Sequence, residues 1–166
     1  MHRLELDTAA SLADTAANAL RQAQDALAPY PALSASGPLL DAEKEYAEAR
    51  LTSALVTGST LPSAADLSVS GAAWLNGLAE AASELRRHLL DRLRDGDLER
   101  SEQLLAAMDA AYGILVTIDF PDAVTGGLRR TTDALRAVLE RTRSDLTTTV
   151  LQTRLQHAIE SRLPDT

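Results

Sequence analysis

The sequence predicts an all-α fold, and three observations predict it. Only five of the 166 residues are aromatic (Tyr30, Tyr46, Trp74, Tyr112 and Phe120), so the core must be built from Leu, Ala, Val and Ile. That palette favours helix over sheet. Long segments are punctuated by Pro and Gly, with N-capping residues at their heads. No strand signal and no repeat at solenoid spacing interrupts them. The length suits one domain over residues 1–166.

Each element follows from its boundaries. The first helix spans about Asp7 to Ala28 and stops at Pro29 and Pro31. A Ser/Gly/Pro loop, Ser34 to Pro38, leads to a second helix from Leu39 to Val56, ended by Gly58. Ser59 to Ser70 is a linker punctuated by Pro62. The third helix starts from the N-cap Ser70 and runs to Asp95, with Gly96 as its stop. The fourth starts at the N-cap Asp97 and reaches Ile118 before Pro121 breaks the chain. The last begins between Asp122 and Leu128 and runs to Arg162, roughly 35 residues and about 50 Å at 1.5 Å per residue. A helix of that length packs along partners in a long bundle or a coiled assembly. Gly126 and Gly127 read as flexibility ahead of it.

Composition removes several classes of function. With no Cys, disulfide scaffolds, thiolate metal sites and Cys nucleophiles are excluded. His2, His88 and His157 lie far apart, which speaks against a His-based zinc site. There is no Gly-rich phosphate loop and no nucleophile elbow. No apolar run is long enough to cross a membrane, and Met1 to Asp7 lacks a signal-peptide core, so the expected compartment is the cytoplasm. Net charge is −8. It is unevenly spread: residues 1–70 carry four basic and nine acidic groups, whereas 128–162 carry seven Arg and four acids. A polyanion would be sought on that last segment. Lys44 is the single lysine among 16 basic residues.

The carboxylates are the remaining candidates for chemistry. Glu45 and Glu48 sit at i,i+3 on the second helix, and Glu80 and Glu84 at i,i+4 on the third. Two such pairs can supply oxygen ligands to a hard cation such as magnesium, for hydrolysis of a phosphodiester or pyrophosphate. The plain alternative is a solvated face. Glu80 and Glu84 point away from the stripe of Trp74, Leu78, Leu85 and Leu89. Glu48 shares a face with Leu51 and Leu55, so its charge needs a partner, which a salt bridge to Arg would also supply. Arg129 and Arg130 open the last helix, where the macrodipole disfavours them. Either they contact phosphate or they pair with Asp122 or Asp133.

Four collinear stretches resemble the translin and translin-associated factor X (Trax) family, in its archaeal form. They are Asp41-Ala-Glu-Lys-Glu-Tyr-Ala-Glu-Ala49, Trp74-Leu-Asn-Gly-Leu-Ala-Glu-Ala-Ala-Ser-Glu-Leu-Arg-Arg87, Asp119-Phe-Pro-Asp-Ala-Val-Thr-Gly-Gly-Leu-Arg-Arg130 and Val138-Leu-Glu-Arg-Thr-Arg-Ser-Asp-Leu146. The resemblance implies a bundle of long antiparallel helices that assembles into a hollow homo-oligomer, usually of eight subunits. It implies binding of single-stranded RNA or DNA and, for Trax-like subunits, magnesium-dependent endoribonuclease activity through interior carboxylates. Carried onto this sequence, those carboxylates are Glu45, Glu48, Glu80 and Glu84, and the nucleic-acid contacts are Arg129 and Arg130. Three departures stand out. Glu80 replaces an Asp of Trax subunits, Thr131 stands where a Lys is expected, and a family helix before Asp7 is not found. Two other functions compete with the nuclease: a scaffold that binds nucleic acid without cutting it, and an all-α nucleotide pyrophosphohydrolase, whose Glu-x-x-Glu is matched by Glu45 and Glu48 but whose second acidic pair is not matched by Glu80 and Glu84.

Overall fold

A computed structural model of the protein describes residues 2–34 and 37–162. Eight helices follow in order: α1 (His2–Leu27), α2 (Pro31–Ser34), α3 (Gly37–Thr57), α4 (Ala64–Leu67), α5 (Gly71–Arg94), α6 (Leu98–Leu115), α7 (Asp122–Thr125) and α8 (Leu128–Glu160). No strand occurs among the described residues, and the expected helical bundle is observed. Among those residues no helix is long and apolar enough to cross a membrane.

The five predicted helices correspond to α1, α3, α5, α6 and α8, and the differences are local. α1 begins at His2, five residues before the predicted Asp7. The Ser34–Pro38 loop is mostly helical at its edges: Ser34 closes α2 and Gly37 opens α3, while residues 35 and 36 lie outside the described residues. The linker after Gly58 contains α4. Its signal is a capping box, in which Ser63 accepts from the Asp66 N–H and Asp66 accepts from the Ser63 N–H. Gly126 and Gly127 are not a flexible pair. Both hold positive φ, 62° and 81°, where only Gly sits without strain, and they form the bend from α7 into α8.

α5 is the central element, packed by α3, α6, α8 and α7. Its N-cap Ser70 accepts from the Ala73 N–H, as the sequence predicts. Its inner face carries Leu78, Ala79, Ala81, Ala82, Leu85 and Leu89, all fully buried. The small residues let α3 approach closely, and the Leu residues fill the space further along. The core forms two contiguous parts. One joins Leu20, Leu39, Tyr46, Leu51, Leu67, Leu78, Leu115, Leu128 and Leu135. The other joins Leu85, Leu89, Leu104, Met108 and Leu139 near the α5–α6 connection. Full burial of each Leu contributes about 1.5–3 kcal/mol.

Buried polar groups pin the bundle at defined points. Glu43 is buried and accepts from Gln24 Nε2 and from the Ser70 N–H, both at 2.9 Å, tying α1 and α3 to the head of α5. Asn76 donates to the carbonyls of Ala72 at 2.9 Å and Thr125 at 2.7 Å, and accepts from the Thr131 hydroxyl at 2.8 Å. Thr131, a departure from the family pattern, thus serves the joint between α5 and α8. Asn76→Ala is expected to cost about 1–3 kcal/mol, because it strands the Thr125 carbonyl and the Thr131 hydroxyl. A lower midpoint in denaturant with an unchanged slope would register that loss.

Candidate carboxylate site on α3 and α5

The site begins with a glycine. A Cβ placed on Gly77 would stand 3.0 Å from Ala47 Cβ, 3.0 Å from the Glu48 nitrogen and 3.1 Å from the Lys44 carbonyl. Only Gly lets α5 lie this close to the backbone of α3. Glu80 is three residues further along α5, so the same close approach delivers its carboxylate to the α3 residues one turn apart at 44 and 48.

Glu45, Glu48 and Glu80 each place a carboxylate oxygen within 4.8 Å of the others. Lys44 lies among them: its Nζ donates to Glu80 Oε1 at 3.1 Å and sits 3.3 Å from Glu45 Oε1. Glu45 is largely exposed, with 66% of its side chain accessible, whereas Glu80 is at 34%. Glu84, the fourth predicted carboxylate, is exposed and outside this trio, but its charge still acts on Glu48. The solvated-face reading of the α5 pair therefore fits Glu84 and fails for Glu80, which leans against α3.

One lysine does not neutralise this much negative charge. Burial pushes the Glu48 carboxyl up to about 7, reinforced by its hydrogen bond with Glu80 and the charges of Glu80, Glu45 and Glu84. Lys44 is pulled the other way by burial, but its bonds and attraction to Glu80 and Glu45 win and raise its pKa. No arginine salt bridge to Glu48 forms among the described residues, so that simple way of satisfying its charge is not used.

The sign of the pH effect follows. Glu48 has an ordinary value of 4.5 and a folded value of about 7. Between those values the folded chain holds more protons than the unfolded one, so stability falls as pH rises through that window. In EDTA, the advantage of Glu48→Gln over the native chain in melting temperature should therefore grow from pH 5 to pH 8. A constant difference would show that Glu48 carries no burden of charge in the folded protein.

Arg129 and Arg130 are exposed on the first turn of α8, whose N-cap Gly127 supplies no side-chain cap. Neither makes an ion pair among the described residues, so the alternative of pairing with Asp122 or Asp133 is not realised there. Arg129 lines a cavity of about 780 Å³ between the end of α6, α7 and α8, together with Tyr112, Phe120 and Thr132. Further along α8, Arg143 is engaged, bonding Asp109 at 2.6 Å and Glu140 at 2.9 Å. Two residues of the site had not been singled out from the sequence: Lys44 and Gly77. The signal for Lys44 was its solitude among 15 Arg.

An all-α bundle with a carboxylate cluster between two of its helices defines the class. No family model matches the sequence. Two solved structures of the archaeal translin-family protein AfC3PO, one of them a complex with duplex RNA, share 32% identity with this chain at a TM-score of 0.71. The match covers 90% of this chain and 74% of AfC3PO. The chain belongs to the translin/Trax family, in its archaeal form. A protein of Methanocaldococcus jannaschii, MJ0175, whose function is uncharacterized, is 27% identical over 125 residues. That match takes in 75% of this chain and 56% of the relative, so the chain spans little more than half the length of that relative.

Proposed function

We propose that this chain is an RNA-binding subunit of translin/Trax type that cuts RNA with magnesium at Glu45, Glu48 and Glu80, with Glu84 alongside. The observation that carries the reading is the meeting of three carboxylates from two helices within 4.8 Å. The likeness to AfC3PO, which has been captured with duplex RNA, supports RNA as the partner. Single-stranded RNA or DNA is the partner that the family resemblance adds.

The donor set fits magnesium. It consists of hard carboxylate oxygens, and a few carboxylates with room for water suit that ion. When bound, magnesium supplies neutralisation of the phosphate charge that builds up as the bond is cut. The chain's own groups do the rest. Glu48, whose carboxyl lies at about 7 before any cation binds, would be held ionised by the cation and so able to accept a proton from an attacking water. Lys44 fixes the orientation of Glu45 and Glu80. Arg129 and Arg130 stand uncommitted at the head of α8, ready for phosphate.

Assembly into a shell is part of the same proposal. The last buried residue of α8 is Leu146. Beyond it Leu151, Leu155 and Ile159 form one exposed apolar stripe, each more than half accessible. A second copy is the partner that the family resemblance provides for such a stripe.

The test is size by light scattering, run beside cleavage of a labelled single-stranded RNA with magnesium or with EDTA. A large assembly that cuts only with magnesium is the expected result. RNA bound without turnover would point instead to a scaffold, and a monomer without cleavage would overturn the proposal.

A further inference from the structure

One face of α5 runs on from the carboxylates. Glu80, Glu84, Arg87, Asp91 and Arg94 recur at four- and three-residue steps, which places them in one row along the helix. The row borders a groove lined by Ser83, Glu84, Arg86, Arg87, Asp91 and Arg94. Three arginines therefore look into the same groove, but their commitments differ. Arg86 donates to the Thr142 hydroxyl at 3.1 Å and to Asp145 at 2.7 Å, clamping α5 to α8. Arg94 bonds Asp91 at 2.8 Å within its own helix. Arg87 is exposed and makes no hydrogen bond or ion pair with any described residue, neither with Glu84 three residues before it nor with Asp91 four after. An arginine beside a carboxylate of its own helix ordinarily gains from pairing with it. Here the acids on either side leave it unpaired.

We propose that Arg87 is a phosphate-binding residue that holds the RNA strand next to the carboxylate site, resting on the function proposed above. The Arg87 backbone position lies about 4.5 Å along the helix axis from that of Glu84 and about 10.5 Å from that of Glu80, at 1.5 Å rise per residue. A strand whose one phosphate meets the carboxylates thus runs along α5 with a neighbouring phosphate at Arg87. Its planar fork of donors suits a phosphate's paired oxygens. The acids flanking it restrict that contact to a strand already engaged at the row, since an isolated anion would feel Glu84 and Asp91 as well.

The test measures affinity for a fluorescent single-stranded RNA 12-mer over a series of salt concentrations, with calcium in place of magnesium to prevent turnover, for the native chain, Arg87→Ala, Arg87→Lys and Arg94→Ala. Losing one charged hydrogen-bonding contact should weaken binding about tenfold. The slope of log affinity against log salt should shrink by about 0.7 for one phosphate on a single strand. Arg87→Lys should keep the slope while losing affinity, and Arg94→Ala should match the native chain. With magnesium restored, Arg87→Ala should raise KM more than it lowers kcat. If the native chain binds RNA and Arg87→Ala keeps its slope, or Arg94→Ala loses as much, this assignment is overturned while the RNA-binding reading stands. If the native chain binds no RNA, both fall together.

Discussion

Glu48→Gln is expected to lower magnesium-dependent RNA cleavage by at least about 10²-fold while leaving RNA binding intact. Glutamine has the same shape, so the packing between Leu51, Gly77 and Glu80 is kept. What it removes is the one carboxylate of the trio that burial and its neighbours drive up to about 7. Binding should survive because replacing an acid by a neutral amide removes no positive charge that a polyanion could use and adds no repulsion. Cleavage should not, since an amide neither accepts the proton of a water nor supplies an anionic oxygen to a cation. The same change at Glu84 should cost less, because Glu84 stands outside the group of three. Gel-based cleavage beside anisotropy titrations separates the two readouts, and parallel loss of both would sink the assigned role.

Gly77→Ala is the second change with a large expected effect. Alanine ordinarily favours a helix by about 0.8–1 kcal/mol over glycine. Here its methyl would sit 3.0 Å from the backbone nitrogen of Glu48 and 3.1 Å from the carbonyl of Lys44. Neither is a side-chain tip that can swing away. Overpacking of that kind costs about 1–3 kcal/mol and outweighs the propensity gain. The expected result is a melting temperature lower by about 2–4 °C for each kcal/mol of net loss. Activity should fall further than stability, since the clash moves apart the two helices that bring Glu80 to Glu48. Full cleavage at a temperature where the variant is folded would show that the close approach is not needed.

The long helices were legible because Pro, Gly and capping Ser or Asp stand at their ends and nothing in between prefers a strand. The short α4 was missed, although Ser63-Ala-Ala-Asp66 spells its capping box, because four residues carry no periodicity. Within the site, Glu45 and Glu48 were legible as a pair from spacing. The partnership of Glu48 with Glu80 was not, since it depends on how far α5 sinks toward α3. Helical phase alone put Glu80 on the outside, and the missing side chain at Gly77 brings it in. Lys44 stayed hidden for the same reason. Its contacts run to another helix, and spacing along one helix does not report them. Gly126-Gly127 misled in the opposite direction, as two glycines look like slack but here encode two left-handed backbone conformations.

Lys44 has one more consequence. A chain that draws 15 of its 16 positive side chains from arginine places its only lysine ammonium among the carboxylates. A compact ammonium can face two oxygens on different helices at once, which the flat guanidinium does less readily. It behaves there as a tethered counter-ion, with an effective concentration set by its own stem and not by the solution. A free cation entering the site has to displace it or share the oxygens with it. Monovalent ions, with one charge and no tether, compete poorly on those terms, whereas a divalent ion brings twice the charge to the exchange. The built-in ammonium thus sets a threshold of charge that a visiting ion must exceed.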